Sequence, residues 1–140
     1  MHTPIIKLLT LITVTVMLTA CNTMQRIHND ELMTNFDHTF TTYSKHLRWG
    51  HFRELTTFMT PEHIGPSLQK VDSLKDRRVS RVQPIAWIMD EEKGVMVGDV
   101  VIDYYITSRA VIRQTTQHQT WRLVGENEQW KLDTGLPDLP

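Results

Sequence analysis

The run Val95-Met96-Val97-Gly98-Asp99-Val100-Val101-Ile102-Asp103-Tyr104-Tyr105-Ile106-Thr107 decides the fold. β-Branched and aromatic residues dominate it, which predicts a long strand. A period of two sorts it into two faces. Met96, Val100, Ile102, Tyr104 and Ile106 share one; Val97, Asp99, Val101, Asp103 and Tyr105 share the other. The more apolar face is the expected core side. Working outward, Val79–Asp90, Ala110–Val124 and Gln129–Asp133 have the same character, separated by Glu91-Glu92-Lys93-Gly94, Ser108-Arg109 and Gly125-Glu126-Asn127-Glu128. Such short connections favour antiparallel neighbours, so a four-stranded meander is expected. Pro84 marks the first strand as an edge or bulged strand, and Gly98 predicts a bend in the second. If Ser108-Arg109 is a two-residue hairpin loop, Thr107 pairs with Ala110. The register then sets Asp99 opposite His118 and Asp103 opposite Gln114.

Upstream the period changes to that of a helix. Leu32, Phe36, Phe40, Tyr43 and Leu47 recur at steps of three and four and draw one apolar stripe. Asn29 or Asp30 is the expected cap at its start and Gly50 its end. Phe52, Leu55, Phe58 and Met59 predict a shorter helix that stops before Thr60-Pro61, and Leu68, Val71 and Leu74 predict a third that starts near Pro66. Helices grouped before a curved four-stranded antiparallel sheet make an α+β layout, in which the helical stripe covers one face of the sheet. Strands much longer than the usual five or six residues must twist and curl.

Composition narrows the class. The chain has 140 residues with 15 Lys+Arg against 16 Asp+Glu, a formal charge of −1 and one cysteine. That length predicts a single domain. Near-neutrality argues against both a polyanion-binding basic domain and an acidic disordered tail. A single cysteine excludes an intramolecular disulfide and a zinc site built from several thiolates.

That cysteine lies in the most informative stretch. Lys7 precedes an apolar run from Leu8 to Leu18, about half the roughly 20 residues needed to span a bilayer and typical of a secretory signal. The run ends in Leu18-Thr19-Ala20-Cys21, which resembles the lipobox of bacterial lipoproteins. The resemblance implies that the peptide 1–20 is removed and that Cys21 carries a diacylglyceryl thioether and an acylated amino terminus. Two or more fatty chains hold a protein durably where one does not. The residue after the cysteine is Asn22 rather than the Asp of the inner-membrane retention signal, so outer-membrane sorting, facing the periplasm, is expected. Residues 21–29 read as the lipidated cysteine and an irregular tether reaching under about 30 Å, 30–137 as the folded domain and 138–140 as a tail.

The domain itself resembles the NTF2-like (cystatin-like α+β) superfamily, and among its members the NTF2-like lipoproteins of proteobacteria. Leu47-Arg48-Trp49-Gly50-His51-Phe52, Arg78-Val79-Ser80-Arg81-Val82, Tyr104-Tyr105, Gln119-Thr120-Trp121 and Trp130-Lys131-Leu132-Asp133-Thr134-Gly135-Leu136-Pro137 carry the resemblance, which covers nearly all of Asp30 to Pro137. It implies a cone, a curled sheet wrapped around a long helix. The superfamily includes enzymes, ligand pockets and assembly parts, so it implies no particular reaction.

Several residue groups invite chemistry. Asp99 beside His118 can hold the imidazole in one tautomer, as acid–base work requires; the alternation instead places the pair outside as an exposed cross-strand contact. The histidines His28, His38, His46, His51, His63 and His118 lack metal-ligand spacing, although His46 and His51 can meet across Gly50, and no metal or cofactor is expected. Lys75, Arg77, Arg78 and Arg81 form a basic patch at the helix-to-strand junction; without interleaved aromatics in an exported protein it predicts no nucleic-acid partner, leaving anionic headgroups as its functional reading. Trp49, Tyr104 and Trp121 are candidate ligand-stacking residues, with core packing the plainer expectation for the tryptophans, Trp87 and Trp130 included. Val97, Val101, Tyr105 and Ile112 form a stripe through which two copies can pair. The expected function is a membrane-anchored binding or assembly role toward an envelope protein or a small apolar ligand. A small acid–base enzyme of dehydratase or isomerase type is the alternative.

Overall fold

The computed structural model describes residues 3–140, with side chains from Met24 onward. The side chains of residues 1–20, read above as a signal peptide, and that of Cys21 therefore lie outside the described residues. The fold is α+β, with helices preceding and packed on a four-stranded antiparallel sheet. Helix α1 spans Thr3–Arg48 and helix α2 Pro61–Lys70; strands β1 (Arg77–Asp90), β2 (Val95–Ile106), β3 (Arg113–Val124) and β4 (Gln129–Leu132) follow in sheet order β1-β2-β3-β4. The chain divides into two compact units, Met1–Phe36 and Asp37–Pro140.

The first unit corrects one expectation. The helix does not start at Asn29 or Asp30 but runs through both from Thr3. Asn22–Asn29 is therefore helical rather than an irregular tether, and at 1.5 Å rise per residue it spans about 12 Å. Within this unit the Thr34 hydroxyl donates back to the Asp30 carbonyl at 2.8 Å.

In the second unit, Phe40, Tyr43 and Leu47 are buried as the stripe predicts. The end of α1 is a Schellman motif. The His51 amide donates to the His46 carbonyl at 2.9 Å and the Gly50 amide to the Leu47 carbonyl at 3.2 Å, with Gly50 at φ 72°. Phe52, Leu55 and Met59 are buried, but they sit on and beside a 3-10 turn, Glu54–Phe58, rather than on an α-helix. Helix α2 begins at Pro61, not Pro66. Proline suits the first helical position because its missing amide would be unpaired there. Pro66 lies inside the helix, where it removes the amide that would bond to the Glu62 carbonyl. A second 3-10 turn, Val71–Leu74, brings Leu74 into the core.

The sheet follows the alternation closely. Met96, Val100, Ile102 and Tyr104 are buried, whereas Asp99 and Asp103 are partly exposed on the opposite face. β1 is an edge strand with register shifts between Val79 and Arg81 and between Pro84 and Ala86, so Pro84 acts as expected. Gly98 marks a close approach between β2 and β1. A Cβ there would lie 2.2 Å from the Ala86 carbonyl oxygen and 2.4 Å from the Trp87 ring. The predicted β2–β3 register holds, with Asp99 opposite His118 and Asp103 opposite Gln114, but the connection is not a two-residue hairpin. Pairing stops at Tyr104–Arg113, and the intervening turn closes through Arg109 and Ala110 amides donating to the Ile106 carbonyl, with Ala110 at φ 48°.

Trp121 sits at the centre of the core. Its ring meets Tyr43 edge-on at 5.3 Å between centroids and Phe40 at 6.4 Å. Residues 138–140 are not a free tail. Leu139 is buried, its carbonyl accepts from Arg77 Nε at 2.9 Å, and the Pro140 carbonyl accepts from the Tyr104 hydroxyl at 2.5 Å and from Arg113 Nη1 at 2.9 Å.

Candidate functional site

The outer face of β2 and β3 carries the polar pairs that the register predicts. His118 Nδ1 lies 2.8 Å from Asp99 Oδ1, with the side chains 64% and 49% exposed. Asp103 accepts from Gln114 Nε2 at 2.9 Å and from Arg81 Nε at 2.8 Å. The Gln114 hydrogen bond, and after it the Arg81 guanidinium, hold the Asp103 carboxyl below the usual carboxylate range. These are cross-strand contacts in water, each contributing a fraction of a kcal/mol in typical sheets. On the same face Val97, Val101 and Tyr105 are half-buried, whereas Ile112, expected to continue their stripe, lies in the β2–β3 connection outside the sheet and is exposed.

The inner face holds a buried amide instead of a catalytic group. Gln119 accepts from Trp121 Nε1 at 3.0 Å and donates to Gln117 Oε1 at 2.9 Å, and its Nε2 lies 3.5 Å from the Tyr43 hydroxyl. Burial pushes the Tyr43 phenol well above its ordinary value, and the Gln119 contact offsets only part of that rise. The phenol stays neutral and takes part in packing. Of the three aromatic candidates, Trp121 and Tyr104 are therefore core side chains, whereas Trp49 is 77% exposed and borders a depression of about 390 Å³ with His51, Arg53, Val71 and Arg78.

The histidines disperse. His46 and His51 do meet across Gly50, with ring centroids 5.6 Å apart, at the two positions that a Schellman motif commonly fills with an apolar contact. His63 Nε2 lies 3.5 Å from Asp133 Oδ1. Among the described residues no group of three or more His, Cys, Asp or Glu side chains is placed to hold a metal ion. The basic patch is engaged internally. Lys75 pairs with Asp72 at 3.0 Å, Arg77 with Asp76, and Arg81 with Asp103, while Arg78 Nη1 donates to the Lys75 carbonyl at 2.8 Å.

Asp133 ties the helical half to the end of the sheet. It accepts from the Thr60 hydroxyl at 2.9 Å and from Arg122 Nε at 2.5 Å, while its own amide donates to the Thr120 carbonyl at 2.7 Å. Burial alone would push the carboxyl up; the Arg122 and Thr60 hydrogen bonds outweigh it and hold the group below the usual range. Thr60 precedes α2 with extended backbone and makes no side-chain cap bond, because its hydroxyl serves Asp133.

Sequence reasoning missed a groove of about 600 Å³ between the last turns of α1 and the inner face of β1. The helix contributes Asp37, Thr41, Ser44, Lys45 and Arg48; the strand contributes Val82, Pro84 and Trp87. Its volume lies within the range of small-molecule sites. Phe40 packs edge-on against Trp87 at 5.1 Å and forms part of the lining. The one available signal was the row of polar residues beside the apolar stripe of α1, spaced like the stripe itself.

Among the described residues no helix is long and apolar enough to cross a membrane. Compared with protein-family models, curated proteins and solved structures, the chain matches none.

Proposed function

We propose that the chain is an exported lipoprotein, held at the outer membrane by lipid on Cys21, whose NTF2-like domain faces the periplasm and binds a partner protein or a small apolar ligand. The observation that carries this reading is Leu18-Thr19-Ala20-Cys21, the only cysteine of the chain, placed directly after a short apolar run behind Lys7. A thiol in that setting becomes an anchor, and several acyl chains at about 0.8 kcal/mol per buried CH₂ suffice to hold it. The α+β layering, helices before an antiparallel meander, is the arrangement the NTF2-like resemblance implies. A binding role is favoured over catalysis because Asp99 and His118 face solvent, where neither exclusion of water nor a converging third group sharpens an acid–base pair. Their 2.8 Å contact is what supports the alternative of a small acid–base enzyme.

The test is metabolic labelling with a radioactive fatty acid in a bacterium that processes lipoproteins. The parent chain is expected to take up label, lose residues 1–20 and partition with membranes, and Cys21→Ser is expected to take up none. An unlabelled parent that partitions and is cut as the Cys21→Ser variant is would overturn the reading.

A further inference from the structure

The groove between α1 and β1 has walls of opposite character, and that contrast identifies what fits it. Its strand wall is apolar, formed by Val82, Pro84 and Trp87. Its helix wall is polar and ends in two cations, Lys45 and Arg48, three residues apart on the last turn. Neither cation has a side-chain partner among the described residues. Elsewhere in the same unit most cations are engaged, among them Lys70 with Asp138, Arg81 with Asp103, Lys93 with Asp90 and Arg122 with Asp133, whereas Arg53 and Arg109 stand outside the groove without such a partner among the described residues. Asp37 stands at the far end of the helix wall, about 16 Å from Arg48 along the axis.

Ser44 adds an independent observation. Its Oγ is buried and makes no hydrogen bond. Thr34 and Thr42 on the same helix show the ordinary solution, donating to the carbonyl four residues back at 2.8 and 2.9 Å. Ser44 lines the groove one residue before Lys45 and one turn before Arg48, so hydroxyl, ammonium and guanidinium share one end. A neutral apolar molecule would leave the two cations unanswered, and a compact anion would leave the strand wall unused.

Resting on the reading of this domain as a binder, we infer that the groove takes a single-chain amphiphile with an anionic head. The chain lies on Val82, Pro84 and Trp87. The head, a carboxylate or a phosphate monoester, meets Lys45 and Arg48 at the end of the groove that Ser44 also lines. Asp37 repels the head from the other end and sets the direction of the chain.

The test uses the full chain in its own membranes, irradiated with diazirine-bearing dodecanoate, dodecyl phosphate or dodecanol, with adducts mapped by mass spectrometry. The two anionic probes are expected to label the tryptic peptide Val82–Lys93 about fivefold more than dodecanol, the ratio that a charge contact of ordinary strength gives. The double variant Lys45→Ala, Arg48→Ala is expected to bring anionic labelling down to the dodecanol level and leave dodecanol labelling unchanged, which also shows that the groove survives the substitutions. The ratio of carboxylate to phosphate labelling assigns a fatty acid or a phospholipid derivative as the source. Equal labelling by all three probes, or adducts confined to other peptides, overturns the inference. Lipid attached to Cys21 maps to a different peptide, so loss of the anchor and loss of groove binding are separate results.

Discussion

Strands β1 and β2 are both long and rich in apolar residues, yet the inner face of β2 is sealed while that of β1 stays open. Met96, Val100, Ile102 and Tyr104 are fully buried; opposite them, Val82 and Trp87 are half-buried and Pro84 is exposed. Period decides which face a side chain takes, but coverage depends on neighbours. β2 has a strand on each side. β1 has one, and its two register shifts bend it, as bulged strands do. Pro84 and the bulges also interrupt the free edge, a common protection against edge-to-edge pairing. Exposed Ile85 and Ile88 lie on this same strand.

The largest effect is expected from Gly98→Val, at the point where the sealed strand touches the open one. Its Cβ would overlap the Ala86 carbonyl and the Trp87 ring, and a loss of about 3 kcal/mol or more is expected, read as a lowered midpoint of urea unfolding. Next is Gln119→Leu in the sealed interior, which leaves Trp121 Nε1 without its acceptor. A loss of about 1–3 kcal/mol is expected in the same assay.

Asp133→Asn probes the join between the helical half and the sheet, and its effect depends on pH. The folded carboxyl titrates below its unfolded value of about 4. Its contribution is therefore fully present above that value and is lost as pH falls through the folded pKa. The parent should lose stability on acidification below about pH 4 more steeply than Asp133→Asn, whose deficit near neutrality is about 1 kcal/mol. A variant whose unfolding midpoint follows pH as the parent's does would remove Asp133 from the acid response. The smallest effect belongs to Asp99→Asn on the outer face, expected to change stability by under about 1 kcal/mol. A larger loss would mean that the exposed pair with His118 is more than a surface contact.

Much of the sheet was legible in the sequence because alternation is a local signal. The β2–β3 register was legible even though its hairpin was not. Opening the turn removed equal numbers of residues from both strands, so Asp99 still faces His118 and Asp103 still faces Gln114. The start of α2 was misread because Pro61 and Pro66 both punctuate the chain, and only packing shows that the helix continues through the second. The docking of Leu139 and Pro140 carries no period at all; it depends on Arg77, Tyr104 and Arg113 arriving from three separate segments. The groove was hidden for the same reason. Its walls are far apart in sequence, and the shift between Pro84 and Ala86 lies in its strand wall, where Pro84 foretold a bulge without indicating the groove beside it.

On the proposed reading, binding capacity lies on the uncovered inner face of β1 while the polar pairs of the outer face are surface contacts. Fluorine NMR of the full chain labelled with fluorotryptophan, titrated with dodecanoate, tests it directly, because the four tryptophans sample different surroundings. The Trp87 resonance is expected to move with saturation while that of fully buried Trp121 and that of exposed Trp49 stay in place. A Trp87 signal that does not respond while Trp49 shifts would contradict this and move the binding surface to the depression that Trp49 borders with His51, Arg53 and Arg78.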